Sequence, residues 1–261
     1  MDRRRKVPGM TPSKAPHPNG RTLYRKFQGA LAEEYRLLKL AYPNLDEFEQ
    51  QVGECAKKYK PAAPSDRISV VEIGCGDGIT TNVLLSARDD MLLTAIDIAP
   101  AMIKQAKDNL ERWEDSRDFQ FVTADAVKYL AELPDDSVDI IASAWTLHNI
   151  FTDDRSVLLR ESLRCLKPGG LFINGDKYAQ EPEEHFQVLY EQMRIFFDVY
   201  LPIGKLEFLK EFVLHNLADE APNTIMYESD AISEMQELGY VDITMTYRKR
   251  MEAVLVAYRA I

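Results

Sequence analysis

The sequence predicts an open, doubly wound α/β fold with a mostly parallel sheet covered by helices on both faces. Three observations carry this. Between residues 68 and 175, short apolar runs alternate with helical stretches, and strictly alternating strands and helices imply a parallel sheet with helices on each side. The first run reads as a buried strand because it is apolar throughout rather than on every second residue. It ends in VVEIGCGDG (70–78), where Gly74, Gly76 and Gly78 follow the strand and a helix starts at Ile79. Glycines there let the chain turn sharply and let a ligand touch backbone. A strand, a glycine turn and a helix form a nucleotide-binding corner.

The elements follow in order. Residues 22–60 read as two helices, with Leu31, Tyr35, Leu38 and Tyr42 at helical spacing and a break at Pro43-Asn44. A connector, 61–66, leads to strand 68–73. The core continues as helix 79–87, strand 91–96, helix 99–112, strand 119–123, short helix 126–131, strand 138–143, helix 153–166 and strand 170–175. Residues 181–219 leave that rhythm. Phe186, Leu189, Tyr190, Met193, Phe196, Phe197 and Tyr200 form one helical stripe, and Leu209, Phe212, Val213 and Leu217 another. Two such helices must bury aromatic faces against the body, against a second copy of the chain in a homodimer, or as a lid over a substrate. Residues 228–238 read as a helix, and 241–247 and 252–259 as two strands.

Composition bounds the function. The 261 residues are 46% hydrophobic and 28% charged, which is globular usage, and no apolar run approaches the roughly 20 residues of a membrane span. Three cysteines fit a reducing, cytoplasmic setting better than a disulfide framework. The net charge of −10 is uneven. Residues 1–26 carry eight Lys and Arg against Asp2, leaving −17 on the remainder. An acidic body repels nucleic acid. The basic segment 1–21, rich in Pro and Gly, reads as a tail, and 22–261 as a single domain.

A GxGxG loop alone does not choose a ligand, since dinucleotide-binding enzymes use one as well. Three segments narrow it. LLTAIDIAP (92–100) is a second strand ending at Asp97, an acid placed to accept both ribose hydroxyls of an adenosine. FVTADAVKYL (121–130) ends a third strand at Asp125. LRCLKPGGLFING (163–175) is a helix end, a Pro-Gly-Gly turn and another strand. Together with Glu72, two residues before the first glycine, these motifs resemble the class I S-adenosylmethionine-dependent methyltransferases over residues 65–175. The segment before the first strand, IDIAPAMIKQAK (96–107) and the closing strands look like carboxy-S-adenosylmethionine synthases and small stand-alone methyltransferases related to them.

The resemblance implies a Rossmann-like seven-stranded sheet with an antiparallel last strand, S-adenosyl-L-methionine as cofactor, and a small-molecule acceptor. It also implies site roles. Gly74, Cys75 and Gly76 approach the cofactor's methionine and sugar, with Glu72 orienting the loop or reaching the amino group through water. Asp97 takes the ribose. Ile98 and Met102 wall the adenine, Asp125 accepts from its amine, the Ala126 amide donates to its ring, and Ala144 lies near the methionine moiety. The synthases hold a carboxylate donor with an arginine after the fifth strand. GKLEFLKEFVLHN (204–216) has none, which favours methyl transfer over a synthase-like or tRNA-modification-related reaction, and the complete motif set with Asp97 argues against a non-catalytic cofactor-binding subunit. The sulfonium supplies the activated methyl, so a base is needed only for a high-pKa acceptor. His148, in SAWTLHN (143–149), is the titratable candidate. Trp145 is placed to cover the sulfonium or adenosine. His17, His185 and His215 show no metal-ligand spacing with one another or with the cysteines, so no metal is expected.

Overall fold

The computed structural model describes residues 37–63, 65–113 and 118–261. The basic segment 1–21 and the Leu31–Tyr35 part of the first stripe lie outside the described residues. Helices α1 (Leu38–Ala41) and α2 (Leu45–Lys58) flank the expected break at Pro43-Asn44. Then follow β1 (Ile68–Ile73), α3 (Ile79–Ala87), β2 (Met91–Asp97), α4 (Pro100–Asn109), β3 (Phe119–Thr123), α5 (Ala126–Glu132), β4 (Val138–Ala144), α6 (Thr152–Cys165) and β5 (Leu166–Lys177). The chain closes with α7 (Pro182–Tyr200), α8 (Leu206–Asp219), α9 (Glu228–Leu238), β6 (Tyr240–Lys249) and β7 (Glu252–Arg259).

One seven-stranded sheet results, in the order β3-β2-β1-β4-β5-β7-β6. Strands β1 to β5 pair in parallel, whereas β7 runs antiparallel to both β5 and β6. Strand order reverses between β1 and β4, which puts the ligand crevice beyond their carboxyl ends.

The sheet is buried on both faces because successive side chains point to opposite sides. Val71, Ile141, Phe172 and Leu255 join one core with Leu158 and Met235. Their neighbours Val70, Ile140, Ile173, Val254 and Val256 join the other with Phe48, Val52 and Leu84. Helix α2 therefore covers the sheet. Its contact is close: a Cβ on Gly175 would lie 2.8 Å from both the Phe48 ring and Val52. A third cluster, Ala41, Tyr42, Phe196, Tyr200, Phe208, Leu209 and Phe212, ties α7 and α8 to α1.

Two boundaries differ from expectation. The helix expected over 99–112 ends at Asn109, and a 3-10 turn at Glu111–Trp113 follows. The fifth strand is longer at both ends than 170–175. Its pairing with β4 starts at Leu166 and shifts register before Leu171, which absorbs the Pro168-Gly169-Gly170 bend as an irregularity in the strand. Its far end runs on to Asp176 and Lys177, where β7 continues the ladder.

Candidate active site

The glycine loop is held by three kinds of contact. Gly74 has φ +70, and a Cβ there would lie 2.2 Å from Thr146 Oγ1, so only glycine fits. Gly76 has φ +54 and meets nothing within 4 Å on its Cβ side, leaving its backbone open to a ligand. Asp97 fixes the loop from the next strand. Its Oδ2 accepts from the Gly76 amide at 3.0 Å and its Oδ1 from the Ala99 amide at 2.7 Å. Burial raises the Asp97 pKa, and the Ala99 and Gly76 amides oppose that rise.

A cavity of about 360 Å³ opens over this loop, within the usual range for small-ligand sites. It is lined by Gly74, Cys75, Gly76, Asp97, Ile98, Met102, Asp125, Ala126, Ala144 and His148, so the fold brings ten of the eleven expected site residues together. Asp125 also caps α5, its Oδ1 accepting from the Lys128 amide at 3.1 Å. The Cys75 thiol is pushed up by burial and by Glu72 and Asp97, which fits a small packing residue rather than a redox group.

Glu72 is the exception. It is fully buried and absent from the cavity wall, because β1 carries its side chain beneath the loop. There its Oε2 accepts from Thr81 Oγ1 at 2.7 Å, while Oε1 has no hydrogen-bond partner. Burial pushes its pKa up to about 8.

The far end of the cavity is walled by Tyr42, Trp145, His148, Lys177, Phe212 and His215. It is organised by Asp176, which is fully buried. Asp176 Oδ2 accepts the amides of Leu147 at 2.8 Å and His148 at 3.3 Å, and its Oδ1 lies 2.5 Å from His148 Nδ1. Those bonds pin the 3-10 turn Leu147–Asn149, while His148 Nε2 accepts from Asn149 Nδ2 at 3.0 Å. The guanidinium of Arg155 holds the same turn from behind, donating to the carbonyls of Leu147, Ile150 and Thr224. Lys177 Nζ is buried against Asn216 Oδ1 at 2.7 Å and Asp219 Oδ2 at 3.0 Å. It also sits 5.9 Å from the Trp145 ring centre, so that ring already faces a cation. Trp145 itself adopts φ +52, a conformation uncommon for a bulky residue and typical of functional turns.

Residues 71–174 match the family of methyltransferase domains. The match supports a class I S-adenosylmethionine-dependent methyltransferase domain over those residues. The cofactor of the family is S-adenosyl-L-methionine. The chain is 39% identical over 74 residues to a malonyl-[acyl-carrier protein] O-methyltransferase of Paenibacillus sp. (strain JDR-2), covering 28% of this chain and 26% of that protein. It is 24% identical over 163 residues to a carboxy-S-adenosyl-L-methionine synthase of Hydrogenovibrio crunogenus, covering 60% and 62%. The match thus spans less than two thirds of either relative. Among solved structures, the pyocyanin biosynthetic protein PhzM superposes with a TM-score of 0.60 at 16% identity, over 92% of this chain and 62% of that one. No helix among the described residues is long and apolar enough to cross a membrane.

Among the polar residues that sequence reasoning missed are Glu49 and Lys177 in the cavity wall and Asp176 buried behind it. Asp176 and Lys177 lie past the expected end of the fifth strand; the charged pair closing an apolar run was their signal. Glu49 sits on the buried face of α2 and reaches the cavity wall, its Oε2 accepting from Thr80 Oγ1 at 2.8 Å. Burial pushes its pKa up to about 7. A buried acid on an otherwise apolar helix face was the signal there.

Proposed function

We propose that this chain transfers the methyl group of S-adenosylmethionine to a small-molecule acceptor by in-line displacement. The observation that carries this is a single cavity running from the glycine loop, Asp97 and Asp125 to the enclosed end at His148, Lys177 and His215. The first end offers backbone and carboxylates: Glu49, Asp77, Asp97 and Asp125 line it. Such a lining suits a cofactor with an ammonium and a sulfonium. Asp97 takes the ribose hydroxyls with the lone pairs left beside its two amide bonds. Asp125 and the Ala126 amide take the adenine edge, between Ile98 and Met102. Ala144 flanks the methionine portion.

At the other end the acceptor lone pair, the methyl carbon and the sulfur must lie in line, with water excluded. Tyr42, Trp145 and Phe212 supply apolar walls, and α7 with α8 serve as the lid. His148 is the residue assigned to the acceptor. Its Nδ1 is engaged by Asp176 and its Nε2 accepts from Asn149 Nδ2, so the Nε2 lone pair meets an acceptor when Asn149 falls back on the Trp145 carbonyl.

The test is calorimetric titration with S-adenosylhomocysteine and with NAD, followed by turnover with methyl-deuterated cofactor and small-molecule extracts. Tight binding of the former alone, and deuterium in an acceptor, is expected. Binding of NAD instead, or a carboxyl added to a cofactor that keeps its methyl, overturns the proposal; the second outcome is the synthase-like reaction.

A further inference from the structure

We propose that His148, His215 and Asp219 form a binding site for one divalent first-row transition-metal ion at the acceptor end of the cavity. Each offers one ligand atom, and the three atoms lie within 4.8 Å of one another. His148 Nε2 and His215 Nε2 each stand 3.8 Å from Asp219 Oδ2. Ligands about 2.1 Å from a tetrahedral ion stand about 3.4 Å apart, so the cluster closes onto an ion by small side-chain rotations.

The arrangement has the marks of a built site. His215 and Asp219 are spaced i, i+4 on α8 and share one helix face. His148 arrives from the turn after β4, 67 positions earlier in the chain, which is why linear spacing pointed to no metal. Asp176 holds the other ring nitrogen of His148. A carboxylate on the far nitrogen is how metal-binding histidines are oriented and made better donors.

Two neighbours must yield. Asn149 Nδ2, 3.0 Å from His148 Nε2, also reaches the Trp145 carbonyl at 3.3 Å and can stay there. Lys177 Nζ now shares Asp219 Oδ2 with the two imidazoles, at 3.0 Å, and also holds Asn216, so ion binding would turn the carboxylate to give one oxygen to the ammonium and the other to the ion. Two imidazoles and one carboxylate suit Zn, Co, Fe or Mn in the divalent state. Three protein ligands also leave a position open, and both histidines line the cavity. The ion would take the His148 Nε2 lone pair, so in the metal-bound protein its free position, rather than that nitrogen, would face the acceptor and hold an oxygen or nitrogen of it.

This use of the ion rests on the proposed methyl transfer; the binding itself does not. The experiment titrates chelator-treated full-length protein with Co(II), followed by visible absorption and calorimetry. Saturation at one Co(II) per chain is expected, competed by Zn(II). His215→Ala and Asp219→Asn should each weaken Co(II) by at least tenfold, and Asp176→Asn by about 10–100-fold. Absence of saturable Co(II) binding to the parent protein overturns the proposal, as does undiminished binding to both ligand variants. Binding of S-adenosylhomocysteine is measured on the same samples. Its presence without Co(II) binding sinks only the metal site, and Co(II) binding without it sinks only the cofactor assignment.

Discussion

The two ends of the cavity are built in opposite ways. The glycine-loop end is backbone and short local side chains from consecutive βα units, held by Asp97 on two amides. The far end is a buried network of charged and polar side chains, His148, Asp176, Lys177, Asn216 and Asp219, contributed by three separate segments. The match to the methyltransferase-domain family, residues 71–174, takes in the glycine loop of the first end. The second end is free to vary with the acceptor, so the substrate of a relative does not transfer with the fold.

The first test of that division is made at the glycine-loop end. Asp97→Ala should weaken S-adenosylhomocysteine binding tenfold or more by calorimetry, since charged hydrogen bonds contribute about 1.5–3 kcal/mol each. Because Asp97 also braces Gly76, part of the loss should come from the loop, and Asp97→Asn should retain some binding. Unchanged affinity in Asp97→Ala would remove the ribose from the end of β2.

His148→Ala is the matching change at the far end. Affinity for S-adenosylhomocysteine should stay within about twofold while turnover falls roughly a hundredfold. If both fell together, the two ends would not be separable.

Third comes Gly74→Ala, which sets a Cβ against Thr146 at a positive φ. The conformation alone costs about 1–2 kcal/mol, and the clash adds to it, so the urea midpoint should drop clearly. Thr146→Gly should recover part of the loss; no recovery would place the strain elsewhere.

A smaller effect concerns pH. Glu49 and Glu72 have folded pKa values pushed up to about 7 and about 8 by burial, above the unfolded value near 4.3. The folded protein thus holds protons that the unfolded chain releases, and stability should fall as pH rises from about 4.5 through 8. Melting temperatures across that range should show the decline, and Glu49→Gln should make it shallower between about pH 4.5 and 7, leaving the part that Glu72 contributes. The smallest effect should come from deleting residues 1–18, whose sequence lacks apolar periodicity; cofactor affinity and melting temperature should both hold.

The sequence by itself determined the glycine-loop end. Strand, glycine loop, helix and the acids at Asp97 and Asp125 are local patterns, each written within about ten consecutive residues and read by period and turn chemistry. The same locality placed Glu72 near the loop but could not say that its side chain points beneath it, since facing depends on which side of the sheet α3 covers. Tertiary structure alone decided the far end. Asp176 meets His148 because β5 lies beside β4 and runs two residues further than its apolar run suggested. His215 and Asp219 reach them because α8 folds over the crevice with Phe212 and Tyr42 buried beneath it. Contacts between residues 148, 176 and 215 are products of strand order and helix packing, and no pattern along the chain encodes a distance that only the closed sheet creates.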